Sequence, residues 1–205
     1  MTDGDVPASP LKPDITLYLI RHGETDWNRD ARYQGQTNIP LNENGRTQAL
    51  RNGLSLKVLL PDIAHADFIS SPLDRAIDTM DIIRDAMGLA TKDYRVDSEL
   101  IELHYGHWEG HLASALPSCD PDGVAAKIKD PFGWRPRGGE SYSDLTNRVS
   151  RWLQTLERNT VAVTHGGVSR VARGAVLQLD TQLVPSLDVP QDRILVLRND
   201  QIHWL

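Results

Sequence analysis

Apolar positions along this chain fall either into short solid runs or into stripes of helical spacing. Leu17-Tyr18-Leu19-Ile20, preceded by Ile15 and Thr16, is a solid run that stops abruptly at Arg21-His22-Gly23, the pattern of a buried strand. Asn42 then stands ahead of a segment bearing Ala49, Leu50, Leu54 and Leu56. This predicts a helix capped by Asn42 with those residues on its apolar face, ended across 57–62 with Pro61 as breaker. Phe68-Ile69-Ser70 predicts a second strand. Ser71-Pro72 leads into a helix over 73–87, with Ile77, Met80, Ile83 and Met87 near one face and Gly88 as its stop.

Residues 94–103 read as a third strand with irregular edges. From 105 to 139 glycine and proline are frequent and periodicity is weak. That predicts a loop region covering a site, with one short helix near 124–129. Ser141 starts the next helix, whose buried face is Leu145, Val149, Trp152, Leu153 and Leu156. Thr160-Val161-Ala162-Val163-Thr164 is a clear strand that ends in His165-Gly166-Gly167, followed by a helix over about 168–177. Strands at 193–198 and 201–205, turning at Asn199-Asp200, close the chain. Strands alternating with helices imply an α/β fold: three layers, a doubly wound and mostly parallel sheet with helices on both faces.

The length of 205 residues suits one such domain, expected over 15–205 behind a flexible tail at 1–14. A net charge of −6 argues against broad binding to nucleic acid or to an anionic membrane. No apolar run reaches the ~20 residues of a membrane span, and the first residues hold no signal-peptide core, so the expected compartment is the cytoplasm. Cys119 is the only cysteine, which excludes an intrachain disulfide and a cysteine metal cage; it is read as incidental. His104, His107 and His111 have spacings that could share a helix face, but Gly106 and Gly110 interrupt it and no metal site is expected. Trp108 and Trp134 read as loop anchors or core. Arg135 and Arg137 read as solvated, with the option of reaching a second anionic group on a ligand.

Candidate chemistry gathers at the strand exits, where ligands bind in α/β sheets. The first exit offers Arg21 and His22, with Gly23 allowing close backbone approach; the second offers Arg75; the last offers His165, beside a helix start at Gly166-Gly167. Two arginines and two histidines at one sheet edge suit a dianionic phosphoryl group, because a guanidinium binds two oxygens at once and stays charged.

Arg21-His22-Gly23-Glu24-Thr25, Ser70-Ser71-Pro72-Leu73-Asp74-Arg75-Ala76 and Thr164-His165-Gly166-Gly167, in that order, resemble the histidine phosphatase superfamily, the phosphoglycerate-mutase-like group. Asn28 followed by Arg32-Tyr33-Gln34-Gly35, and Glu102-Leu103-His104-Tyr105-Gly106-His107-Trp108-Glu109-Gly110, fit it as well, so the resemblance covers about 16–175. It implies that His22 attacks phosphorus and becomes a phosphohistidine, with Arg21, Arg75 and His165 holding the transferring group. Asn28, Gln34, Gly35, Tyr105 and Gly166 are then further substrate contacts. Glu102, rather than Glu99 or Glu109, matches the proton donor. His22 must be neutral at its attacking nitrogen, so its other ring nitrogen is expected to donate to a backbone carbonyl.

No metal is required by this scheme. The expected activity is hydrolysis of small phosphorylated metabolites by a monomer or homodimer. The alternative is a phosphoglycerate mutase primed by 2,3-bisphosphoglycerate, and a more distant one is a non-catalytic phosphate-binding module. The compact 105–161 interval, without an Arg-Arg pair, favours the hydrolase.

Overall fold

The computed structural model describes residues 9–59, 63 and 65–205. In chain order the regular elements are β1 (Leu17–Arg21), α1 (Asp26–Arg29), α2 (Glu43–Val58), β2 (Asp67–Ser70), α3 (Asp74–Met87) and β3 (Arg95–Val96). They continue with α4 (Leu116–Cys119), α5 (Pro121–Lys129), α6 (Tyr142–Thr155), β4 (Thr160–Thr164), α7 (Gly166–Leu177), β5 (Ile194–Arg198) and β6 (Gln201–Trp204). The strands form one six-stranded sheet in the order β3-β2-β4-β1-β5-β6. β3, β2, β4 and β1 run parallel, while β5 is antiparallel to β1 and hairpins into β6. The fold is α/β with a mixed, mainly parallel sheet, as the alternation of elements implies.

The side chains of each strand divide between two cores with period two. Leu17, Leu19, Ala162, Leu195 and Leu197 pack with Leu145, Val149 and Trp152 of α6 and Val168 and Val171 of α7. Their neighbours Ile20, Val161, Val163, Ile194 and Val196 pack instead with Leu56 of α2 and Met80 and Ile83 of α3. Solid apolar runs were required because the sheet is covered on both faces. Leu11 is buried in the first of these cores, so packing begins ahead of Ile15. Residues 1–8 of the expected tail, and the proposed break at Pro61, lie outside the described residues.

Three expectations need correcting. In α2, Leu50 and Leu54 are 46% and 50% exposed, and the buried positions are Gly45, Ala49, Asn52, Gly53 and Leu56. The cause is the close approach of α3. A Cβ at Gly53 would lie 2.7 Å from the Ala86 methyl and 2.8 Å from the Ile83 carbonyl oxygen, so α2 turns Ala49, Gly53 and Leu56 inward and leaves Leu50 and Leu54 outside. The third strand is only Arg95–Val96. Asp97 then accepts from the Glu99 amide and caps a 3-10 turn at Ser98–Leu100, lifting the chain off the sheet before Glu102. The 105–139 region holds two helices, α4 and α5, each with a proline in its first turn, where the missing N–H is no loss.

Candidate active site

β2, β4 and β1 are adjacent and parallel, so their carboxyl ends lie along one edge. That edge carries His22 after β1, Ser71 and Arg75 after β2, and His165 after β4. The His22 amide donates to the Thr164 carbonyl at 2.8 Å and the Ser71 amide to the Val163 carbonyl at 2.9 Å, extending the sheet ladder into the site. A Cβ at Gly23 would lie 2.2 Å from the Gly45 carbonyl oxygen. Gly23 therefore admits the start of α2, rather than a ligand as its position suggested.

His22 is 3% exposed. Its Nδ1 lies 2.7 Å from the Gly23 carbonyl oxygen, an acceptor only, which makes Nδ1 the protonated nitrogen and leaves a lone pair on Nε2. Arg75 Nε donates to that Nε2 at 3.2 Å. Burial, with the Arg75 and Arg21 charges, holds the His22 pKa well below its ordinary value; the ring is neutral near pH 7. His165 stands 5.1 Å away, ring centre to ring centre, and its pKa is also pushed well down, by burial and then by Arg75. Its Nε2 is 2.6 Å from Ser71 Oγ.

The arginines are clamped from behind. Arg75 donates from Nη2 to the Gly35 carbonyl at 2.6 Å and from Nη1 to the Thr37 carbonyl at 2.9 Å. With the Gln34 amide oriented to suit its neighbours, its oxygen accepts from Arg75 Nε at 2.7 Å and its nitrogen donates to Thr25 Oγ1 at 2.6 Å. Burial lowers the Arg75 pKa to about 10, so the guanidinium remains charged. Arg21 donates from Nη1 to the Val189 carbonyl at 2.8 Å. Arg21 Nε and His165 Nδ1 are buried with no hydrogen-bond partner among the described residues. Buried polar atoms are rarely left so, and an anion between them would supply the missing acceptor.

Glu102 lines the same pocket as Arg21, His22 and Arg75. Its Oε1 accepts from the Leu103 amide at 2.8 Å, and both oxygens accept from the Gly167 amide, at 3.1 and 3.2 Å. The N-terminus of α7, expected to serve the ligand, spends its Gly167 donor on fixing this carboxyl group. Glu109 sits elsewhere, with Oε1 accepting from the Gln36 and Tyr105 amides and Oε2 from the Thr37 amide and hydroxyl. It ties the 33–37 loop to the 105–110 segment and does not line the pocket.

A pocket of about 260 Å³ opens over these groups. Of the residues expected from sequence, Arg21, His22, Asn28, Gln34, Gly35, Arg75, Glu102, Tyr105 and Gly166 line it, with His165 packed against the His22 ring. Gln34 and the Gly35 carbonyl hold Arg75, so their acceptors act on the ligand through it. Asn28 Oδ1 accepts from Gln191 Nε2 at 3.1 Å, and Gln191 also donates to the His22 carbonyl at 3.0 Å.

Sequence reading missed Arg170, Arg32, Tyr33 and Gln191. Arg170 donates from Nε to the Leu187 carbonyl at 2.7 Å. A Cβ at Gly166 would lie 3.3 Å from Arg170 Nη1 and 3.7 Å from Arg21 Nε, so both guanidinium groups face one spot above Gly166. The only signal was the four-residue, one-turn spacing from Gly166 to Arg170 in a helix known to leave the site. Arg135 and Arg137 do not line the pocket; Arg135 pairs with Asp144 at 2.6 Å. His104 and His107 turn to Gly106 and Asp120, and no metal-holding cluster occurs among the described residues. Trp108 is buried, and Trp134 packs on it with ring centres 4.3 Å apart; both anchor the covering segment.

Residues 17–205 match the family described as the histidine phosphatase superfamily, branch 1. The chain is 34% identical to glucosyl-3-phosphoglycerate phosphatase of Mycobacterium tuberculosis over 184 residues, which is 83% of this chain and 79% of that protein. It is 32% identical to a probable phosphoglycerate mutase of Shigella dysenteriae, over 92% of this chain and 83% of that one. Among solved structures, a putative α-ribazole-5'-P phosphatase of Escherichia coli superposes with a TM-score of 0.77 at 25% identity, covering 93% of this chain and 94% of the other. A mycobacterial glucosyl-3-phosphoglycerate phosphatase complexed with VO3 gives 0.74 at 31% identity, covering 93% and 96%.

Proposed function

Because the chain belongs to the histidine phosphatase superfamily, branch 1, we propose that it hydrolyses phosphomonoesters of small metabolites through a phosphohistidine on His22. The observation that carries this reading is the His22 ring: neutral, locked by its Nδ1–H on the Gly23 carbonyl, and presenting Nε2 to an arginine-lined pocket. Phosphorus replaces the Arg75 Nε–H contact at Nε2, that N–H stays with the Gln34 oxygen, and the clamped guanidinium presents its remaining N–H and its charge to the phosphoryl oxygens. Arg21, Arg75 and His165 Nδ1 then hold the transferring group as the P–O bond to the leaving group breaks and the N–P bond forms. Catalysis of this transfer is mainly positioning and charge stabilisation. Glu102 gives its proton to the leaving oxygen; in the second half it takes a proton from water, which attacks phosphorus and releases phosphate and neutral His22.

The guanidinium groups supply the positive charge that a metal would otherwise bring, and the reading includes neither metal nor organic cofactor. It places the enzyme in the cytoplasm, as a monomer or homodimer. Hydrolysis is preferred to phosphoglycerate mutation because the covering segment brings no paired arginines to the pocket: Arg135 and Arg137 both lie outside it.

The test is chemical. Rapid quenching with a phosphoryl donor should trap an acid-labile, base-stable phosphate on His22, and His22→Ala should abolish aryl phosphate hydrolysis while its circular dichroism spectrum is unchanged. Turnover retained in that variant ends the assignment. Chelator should leave the rate unaltered. Isomerisation of 3-phosphoglycerate with bisphosphate primer, faster than phosphate release, would establish the mutase instead.

A further inference from the structure

A second cavity of about 420 Å³ adjoins the first. The two share Tyr33 and Ala113 as lining residues. Their common wall is a narrow ribbon in which 31–33 pairs with 110–113: the Tyr33 amide donates to the His111 carbonyl, the Gly110 amide to the Tyr33 carbonyl, and the Ala113 amide to the Ala31 carbonyl. At Ala113 that wall carries only a methyl group. The chemistry changes across it. The first cavity is lined by four arginines and Glu102, whereas the second is walled by Trp108, Leu116, Pro117, Val124, Ile128 and Pro185.

Its one cation is already engaged. Lys127 Nζ donates to the Tyr33 hydroxyl at 2.7 Å and stands over the Tyr33 and Trp108 rings at 5.1 and 5.5 Å. The wall residue Tyr33 is itself held edge-on between Tyr105 and Trp108, so the boundary is rigid and the cavity is built rather than a chance gap in a loop. Ile128, on its rim, is 76% exposed, an apolar side chain offered to whatever enters.

We infer that this cavity is the leaving-group subsite of the same active site, and that the enzyme takes phosphomonoesters of bulky apolar alcohols. The phosphoryl group sits among the arginines, and the apolar body of the alcohol runs over the ribbon at Ala113, where it carries only a methyl group, into the pocket under α5. This rests on the phosphatase reading, and it adds which leaving groups that site selects. Burial of each further methylene strengthens binding, and apolar pockets discriminate between ligands by ~10-fold or more per such group.

Non-hydrolysable phosphonates separate the two readings, since they require no turnover. Titration calorimetry should find hexylphosphonate at least ~10-fold tighter than methylphosphonate, with a negative heat-capacity change. Val124→Arg, which puts a charge in the second cavity only, should erase that preference and leave methylphosphonate affinity as it was, while Val124→Leu should keep it. Equal affinity for the two phosphonates in the wild-type protein, or a preference untouched by Val124→Arg, overturns the subsite. The phosphatase reading fails separately, by absence of the His22 phosphate. Binding of neither phosphonate overturns the subsite and leaves the phosphatase reading to the His22 phosphate.

Discussion

At the scale of single residues, two carboxyl groups seven positions apart, Glu102 and Glu109, have been given opposite duties by their donors. Glu109 meets four N–H and O–H donors and is a strut. Glu102 meets only backbone amides of Leu103 and Gly167 and keeps its face to the pocket. Glu102→Gln should therefore lower kcat by ~10²–10⁴ on alkyl phosphates, and far less on p-nitrophenyl phosphate, whose leaving group needs no proton. A steady-state comparison of the two substrates measures this, and equal losses would show that the side chain serves structure alone. His22, Arg75, Glu102 and His165 were legible because each stands in a short recognisable block, His22 and His165 just past a strand and Arg75 in the first turn of a helix. Arg170 and Gln191 were not. Arg170 depends on where one helical turn points, and Gln191 reaches His22 from 169 positions away, with nothing local to announce it.

Elements place these residues, and one of them depends on a tie that can be cut. The loop at 33–37, which supplies the carbonyls of Gly35 and Thr37 to Arg75, is fastened to the 105–110 segment through Glu109. Glu109→Ala should free it, so that kcat/KM falls ~10-fold or more as Arg75 loses its alignment, while stability drops by ~1–3 kcal/mol for the stranded donors. Urea unfolding read beside kinetics distinguishes the two, because a purely structural strut would change the midpoint and spare kcat/KM at temperatures where the variant is folded. Strands and the capped helices were readable from sequence. The face of α2 was only half readable: Ala49 and Leu56 are buried as expected, but Leu50 and Leu54 point outward because Gly53 takes the contact with α3. Of the two helices in the covering segment, α5 was readable near 124–129 and begins earlier, at Pro121, while α4 was hidden by the proline in its first turn, which reads as loop.

For the molecule as a whole, the site is a positive interior in a chain of net charge −6, and its two histidines are buried uncharged. Their pKa values lie well below the ordinary one in the fold and return to ~6.5 in the unfolded chain. Unfolding therefore takes up protons below that pH, and stability is lost as pH falls, by as much as ~1.4 kcal/mol per pH unit for each histidine. Urea midpoints at pH 7.5 and 5.5 should show this, and His165→Asn should flatten the slope; an unchanged slope would place the acid sensitivity elsewhere.

The segment just ahead of β5 supplies the carbonyls of Leu187, Asp188 and Val189 to Arg170, Arg173 and Arg21, and β5 itself lies against β1. Synthesis proceeds from the other end. β5 and the segment ahead of it must leave the ribosome before β1 gains its outer neighbour and the arginines gain their acceptors. Until then Arg21 and Arg170, which meet above Gly166, lack the carbonyls that fix them, so the making of the pocket's framework and the setting of its charges are separate events in the life of the chain.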